Sequence, residues 1–264
     1  MKDIQNEADT REIDIQKVGI KDFNIPLKIK CKDNSTQLVN AKTRVSVSLP
    51  KNYKGTHMSR FVEMLTEWQA EDMLGSDLKG CISSIVDKLS AKSGELLLEF
   101  KYFIEKQAPI SGLVSQMGYD CSFKSVLTDY NTKSENYKFI LGVKVPITTL
   151  CPCSKEISEY GAHNQRAIVS VNVSYSLNEH IWIEDLIKEI EDCSSCSIYP
   201  LLKREDEKFV TEHAYNNPKF VEDVLRDVVI NLRENPIISE FEVECEALES
   251  IHNHSAWAYQ KEVK

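Results

Sequence analysis

Glycine is scarce in this chain, nine residues among 264, and none of them forms a Gly-x-Gly-x-x-Gly fingerprint, a Gly-x-x-x-x-Gly-Lys-Ser/Thr loop or a Gly-x-Ser-x-Gly elbow. That excludes the backbone phosphate cradles of the common nucleotide folds and the nucleophile turn of the α/β-hydrolases. Any phosphate must be gripped by side chains. Long apolar runs are missing too: no stretch approaches the ~18 residues that span a bilayer. The charged opening from Met1 to Arg11 lacks the apolar core of a secretory signal. Nor is there a basic surplus, since 32 Lys and Arg stand against 41 Asp and Glu, a formal net charge of −9. Generic binding to nucleic acid or to a membrane surface is therefore not expected. The cytoplasm is the expected compartment.

What is present describes a soluble globular protein. With 42% hydrophobic and 28% charged residues, the chain has room for one large domain or two small ones. Its eight cysteines stand at 31, 81, 121, 151, 153, 193, 196 and 245. Disulfide frameworks belong to small secreted domains that lack a core, so most of these thiols are expected simply to pack. The exceptions to look for lie close to histidines and carboxylates.

Residues 1–19 are rich in Asp, Glu, Lys and Gln and read as a loose arm, with the folded body running from Ile20 to Lys264. Period-two alternation predicts strands at Asn24 to Lys30 and Gln37 to Leu49, joined through Lys32-Asp33-Asn34-Ser35. Spacings of three and four then predict a helix through Met58, Phe61, Leu65 and Trp68. Another carries Leu78, Ile82, Ile85, Val86 and Leu89 behind the Gly75-Ser76-Asp77 breaker. Strands follow at Glu95 to Glu105 and Tyr119 to Tyr130. The second half repeats the order: strands at Tyr137 to Thr148 and Arg166 to Ser176, helices at Ile183 to Ile190 and Asn217 to Arg233, strands at Ile238 to Leu248 and Ser255 to Tyr259. In the longer helix Asn217 is the expected cap, with Pro218 in the first turn. The chain thus reads as ββααββ twice, in units of roughly 20–132 and 133–264, an α+β fold with antiparallel sheets and helices on one face. The uncovered face makes oligomerisation a reasonable expectation.

Three clusters carry chemistry. Cys151-Pro152-Cys153 precedes His163 between two strands, and thiolate with imidazole suits a zinc- or iron-like ion. The plain alternative is that both thiols pack in the turn while His163 caps a strand. Glu249, His252 and His254 bring acid, base and ligand chemistry into six residues. Lys203-Arg204 runs directly into Glu205-Asp206-Glu207, where basic groups beside carboxylates can hold phosphate and metal, or form a solvated loop. Cys193 and Cys196 make a lone Cys-x-x-Cys without the second pair of a zinc ribbon.

Together and in this order, Gly55-Thr56-His57-Met58-Ser59-Arg60-Phe61, the segment from Cys151 to Arg166, Tyr199 to Thr211, Phe220-Val221-Glu222-Asp223 and Glu249 to His254 resemble the prokaryotic type IB GTP cyclohydrolases. The likeness runs from about Gly19 to Tyr259 with no departure at the key positions. It implies the tunnelling fold, with each ββααββ unit half-barrel-like and active sites at the subunit interfaces of a homotetramer. It also implies conversion of GTP and water into formate and 7,8-dihydroneopterin triphosphate, the first committed step toward tetrahydrofolate. On that resemblance Cys151, His163 and Glu207 are metal ligands for Mn2+, Zn2+ or Fe2+. His252 and His254 are the proton shuttles, and Glu249 orients one of them or joins the metal shell. Cys153 lies near the site, and Glu222 anchors guanine by accepting from N1–H and the 2-amino group. Lys203, Arg204, Arg166, Lys155 and Arg60 are the expected triphosphate contacts. Three other readings stay open: an archaeal-type cyclohydrolase giving the cyclic phosphate, an NADPH-dependent tunnelling-fold nitrile reductase with a cysteine nucleophile, and a non-catalytic metal-storage or structural protein.

Overall fold

Alternating apolar and polar residues extend into strands because successive side chains face opposite sides of a sheet and only one side need be buried. The computed structural model describes residues 5, 7–68, 72–73, 77–176 and 178–264. It divides into two units, Met1–Lys101 with Ser122–Leu141, and Tyr102–Cys121 with Gly142–Lys264. The expected division at 132/133 is thus replaced by an interleaved one. Three long strands, β4 (Gly94–Gln107), β5 (Val114–Thr128) and β6 (Asn136–Leu150), give residues to both units.

In the first unit β1 (Ile15–Lys30) and β2 (Thr36–Leu49) make an antiparallel hairpin whose turn holds Asn34 at φ +66°. Here β3 (Asp72–Met73) lies parallel to β1, and β2 pairs with β4, in the order β6-β5-β4-β2-β1-β3. The helices α1 (Met58–Trp68) and α2 (Leu78–Lys88) bury Phe61, Leu65, Ile82, Ile85 and Val86. The start of β4 runs so near α2 that a Cβ on Gly94 would lie 2.6 Å from Val86 Cγ2. Phe100, Phe123 and Phe139 link β4, β5 and β6, with ring centroids 5.0 and 5.6 Å apart.

The N-terminal arm differs from expectation. β1 begins at Ile15, and two register shifts within its first half hide the period of two that would have announced it. Before it, the carbonyls of Gln5 and Glu7 accept from the Gly55 and Lys54 amides at 3.1 Å each. Gly75 and Ser76 of the expected breaker, and Met1–Ile4 and Asn6 of the arm, lie outside the described residues.

In the second unit the strand order is β10-β9-β7-β6-β5-β4, with β7 (Asn164–Tyr175), β9 (Ile238–Ala247) and β10 (Ala256–Val263) antiparallel to their neighbours. The short β8 (Cys196–Ser197) pairs with Ile147 and Thr148 of β6. Of the four helices among the described residues of this unit, α4 (Ile183–Asp192) buries Ile183, Leu186, Ile187 and Ile190, as its spacing predicts. The others are α3 (Pro152–Ile157), α5 (Arg204–Asn216) and α6 (Val221–Glu234). α6 packs on β9 and β10.

Two corrections concern helices. α6 starts three residues later than expected: Phe220 is its cap, and the Asp223 carboxylate accepts from the Phe220 amide at 3.0 Å. Asn217 instead ends α5. The segment after Lys203, for which a solvated loop was the alternative reading, is α5 itself, hard to see because only Asp206 and Ala214 among its residues are buried. A nearly all-polar surface leaves little apolar periodicity to detect. No helix among the described residues is long and apolar enough to cross a membrane.

Asp206 anchors α5. Fully buried, it accepts from the Ile110 and Ser111 amides at 2.8 Å each, the Ser111 hydroxyl at 2.6 Å and the Lys203 amide at 2.8 Å. Burial opposes the charge, but the Ser111 hydroxyl and these amides outweigh it and hold the carboxyl well below the usual carboxylate range. A carboxyl depressed in the folded state stabilises fully above its unfolded value of ~3.9 and loses that contribution as pH falls below it. Asp206→Asn is therefore expected to lower the thermal midpoint at neutral pH. Melting curves between about pH 7 and pH 3 should also show a smaller acid loss in the variant than in the wild type.

Candidate active site

The site grows out of strand register. The Cys151 amide donates to the His163 carbonyl at 3.1 Å, so the two residues face each other across the exit of β6 and the entry of β7. Two residues further into this pair, Thr149 stands opposite Gln165. On the other side of β7 the partners Ala167 and Ala247, continued by two residues, set Gln165 opposite Glu249. The Leu248 amide holds that continuation by donating to the Arg166 carbonyl at 3.0 Å. Each of these side chains prolongs a buried row: Val145 and Ile147 before Thr149, Val169 and Ala167 beyond Gln165, Cys245 and Ala247 before Glu249. One apolar face ends in a polar rim.

The loop from Cys151 to His163 is closed by α3. Cys151 caps that helix, its half-buried Sγ accepting from the Ser154 amide at 3.4 Å. The Ser154 hydroxyl in turn accepts from the His163 amide at 3.1 Å. On the rim, His163 Nδ1 lies 3.0 Å from Gln165 Oε1 and 3.7 Å from Glu249 Oε2. Gln165 Nε2 donates to Thr149 Oγ1 at 3.0 Å and Glu249 Oε1 at 3.4 Å. The side chains of His163 and Glu249 are only 16% and 15% exposed, so water competes little for this contact. Glu249 thus lies against His163, where the expectation was that it orients His252 or His254 or joins the metal shell.

His252 and His254 are both exposed in the turn between β9 and β10. Their rings nevertheless stack 5.0 Å apart at 15°. Cys153 is exposed on α3. α5 approaches the same strand ends through an apolar cluster of Leu150, Cys196 and Ala214, with Ala162 and Val210 packed against it. Glu207, three residues before Val210, shares that face of the helix while staying exposed. Among the described residues no three His, Cys, Asp or Glu side chains form a ready-made metal cage. The structure brings Cys151 and His163 together and leaves Glu207 on the neighbouring helix.

Lys203 and Arg204 are exposed at the start of α5, and Arg166 is exposed on β7. Lys155 is engaged within the unit, donating to the Tyr215 carbonyl with its ammonium 4.4 Å from that residue's ring centroid. Arg60 belongs to the first unit, where it lines a cavity of about 260 Å³ with Tyr53, His57 and Ser90. Glu222 is exposed in the first turn of α6. Burial, with a further push from the Glu222 charge, raises the Cys245 thiol to about 12. Gln165 and Thr149 are absent from the expected site residues. Their signal lay in the alternation itself, as polar residues in the register of Val169, Ala167, Val145 and Ile147.

Long antiparallel strands interleaved with paired helices, ending in a thiol, an imidazole and a carboxylate, define a tunnelling-fold protein with a polar site at its strand ends. Solved uricases share the fold. The uricase from Bacillus fastidious superposes with a TM-score of 0.60 over 94% of this chain and 93% of its own at 10% identity. Urate oxidase from Bacillus sp. TB-90 gives 0.55 over 95% and 100%, also at 10%. A family model described as type I GTP cyclohydrolase folE2 matches residues 1–258. The chain is 51% identical over 258 residues to the GTP cyclohydrolase FolE2 of Geobacter sp. (strain M21), covering 98% of this chain and 93% of that protein. It is 48% identical over 260 residues to that of Syntrophus aciditrophicus (strain SB), covering 98% of each. The chain belongs to the type I GTP cyclohydrolase FolE2 family.

Thiol reactivity follows from this burial. Cys81 and Cys245 are pushed up to about 12 and Cys193 to about 11, burial being the main cause in each. Iodoacetamide at about pH 8 is expected to modify Cys153 and Cys151 while these three resist, because the thiolate is the nucleophile. Peptide mass spectrometry reads the order, and labelling of Cys245 as fast as Cys153 would contradict the burial described.

Proposed function

We propose that this chain is a divalent-metal-dependent GTP cyclohydrolase that converts GTP and water into formate and 7,8-dihydroneopterin triphosphate, the first step of tetrahydrofolate biosynthesis. The observation that carries the reading is the facing pair Cys151 and His163, with His163 Nδ1 engaged by Gln165, which leaves Nε2 as the ring nitrogen for an ion. Thiolate, imidazole and carboxylate are the donor set of a catalytic rather than a closed structural site. Cys151, His163 and, from its face of α5, Glu207 would hold the ion. Mn2+, Zn2+ or Fe2+, when bound, supplies Lewis acidity and a nucleophile at neutral pH for attack at C8 of guanine.

The chain's own groups do the rest. Opening the imidazole ring and releasing the formyl group require protons to be moved to and from ring nitrogens, and the stacked His252 and His254 present the side-chain type suited to that work. Glu249 and Gln165 hold His163 in place. Glu222 accepts from N1–H and the 2-amino group of guanine, a donor pair that adenine lacks. Lys203, Arg204, Arg166, Lys155 and Arg60 carry the triphosphate, some of them from a neighbouring subunit of a homotetramer. Association is supported by the edge strand β10, which exposes Trp257 and Tyr259 stacked 6.0 Å apart. The cytoplasm, where thiols stay reduced, suits eight free cysteines.

The test is chelated protein reconstituted with Mn2+, Zn2+ or Fe2+ in turn and supplied with GTP. Formate and a fluorescent pterin after oxidation are expected, and neither product with any metal sinks the reading. Phosphate analysis separates the linear triphosphate from the cyclic phosphate. Cys151→Ala and His163→Ala are each expected to lose metal and at least about 100-fold in activity. Glu222→Gln should raise KM for GTP roughly 10- to 100-fold with a smaller change in kcat, the cost of about 1.5–3 kcal/mol for a hydrogen bond to a charged group. Trp257→Glu should dissociate the assembly, read as a lower mass by light scattering, with activity falling in parallel.

A further inference from the structure

We propose that Gln165 is a positioning residue that fixes the tautomer of His163, relaying the acceptor-only character of Glu249 to the imidazole. The two ends of a glutamine amide are told apart by their partners. An ionised carboxylate only accepts, so the Glu249 oxygen 3.4 Å away must face the NH2 end of Gln165. Thr149 Oγ1, 3.0 Å away and buried, accepts from the same NH2 group. The amide oxygen is then left pointing at His163 Nδ1 across 3.0 Å. An oxygen there accepts, so Nδ1 carries the proton and Nε2 keeps its lone pair. The second Glu249 oxygen lies 3.7 Å from Nδ1, too far to replace Gln165 as hydrogen-bond partner but near enough to favour the same proton position.

The arrangement is rigid. Gln165 is 9% exposed and sits within the β6–β7–β9 ladder, so its amide can turn over only by breaking three contacts at once. Free imidazole side chains prefer the opposite tautomer, with the proton on Nε2. The relay therefore reverses an intrinsic preference, and it does so with a neutral amide that adds no negative charge beside the Cys151 sulfur. Its importance for catalysis rests on His163 acting as a metal ligand through Nε2. The tautomer itself does not depend on that reading.

The experiment uses the full-length protein labelled with 15N-histidine, metal-free, at a pH raised until the ring-nitrogen shifts stop changing, so that the imidazole is neutral. Long-range proton–nitrogen correlation spectra show which ring nitrogen is protonated, and the His163 signals are those lost in His163→Gln. The wild type is expected in the Nδ1–H form. Gln165→Leu should shift His163 towards the Nε2–H form and raise the dissociation constant for zinc about 10- to 100-fold. Glu249→Gln keeps the shape but can donate as well as accept, so the amide of Gln165 is no longer oriented and a mixture of tautomers should appear. This second variant decides the matter if Gln165→Leu does not fold. An Nε2–H wild type, or an Nδ1–H form retained in a folded variant of either kind, overturns the proposal. An Nδ1–H wild type that takes up no zinc supports the relay and removes the metal reading instead.

Discussion

The antiparallel register of β6, β7 and β9 is the constraint on which the site depends. Side chains alternate across a sheet, so a residue reaches the core face only if it stands an even number of steps from the apolar residues already there. Cys151, His163, Gln165 and Glu249 meet that condition together with Thr149. A slip of one residue in any of the three strands would turn its contribution to the opposite face and dismantle the cluster. The apolar rows of Val145, Ile147, Ala167, Val169, Cys245 and Ala247 make such a slip costly. The core thereby determines the chemistry at its own edge.

The helices are tied to the same strand ends by polar contacts. Ser195 donates its amide to the Thr148 carbonyl at 3.1 Å and accepts from the Leu150 amide through its hydroxyl at 3.2 Å. The Lys219 amide donates to the Leu150 carbonyl at 3.0 Å, so the connection from α5 to α6 begins beside Cys151. Asn217 reaches the Ser194 and Ser195 carbonyls from that connection at 2.8 and 3.3 Å. Neither α5 nor α6 is carried on a free linker. Glu207 and Glu222, each in the first turn of its helix, are accordingly presented from fixed positions.

Charge gains meaning against this geometry. A chain of net charge −9 repels an anion overall, yet the proposed substrate carries about four negative charges. Attraction must therefore be local. Lys203, Arg204 and Arg166 are exposed around the strand ends of the second unit, while Lys155 already has Tyr215 for a partner. Of the carboxylates near them, Asp206 is engaged by amides and a hydroxyl and Glu249 is held against imidazole and amide, while Glu205 and Glu207 stay exposed beside Lys203 and Arg204.

Periodicity in the sequence was enough to place most strands and the helices α1, α2, α4 and α6, because each buries one face and its apolar spacing records which. The ordered motifs were enough to indicate the family, and the absence of glycine-rich loops to require that phosphate be held by side chains. α5 escaped notice because its hold on the fold is a buried carboxylate and a few small contacts, which leave no apolar stripe. The start of β1 escaped because its bulges break the period of two. The neighbours of His163 needed the tertiary structure: Gln165 is two residues away in sequence, but Thr149 and Glu249 come from other strands. Only the pairing of those strands decides which polar groups share a face. Hydrogen-bond polarity, and with it the state of an imidazole, is a property of that three-dimensional set and is written in no single segment of the chain.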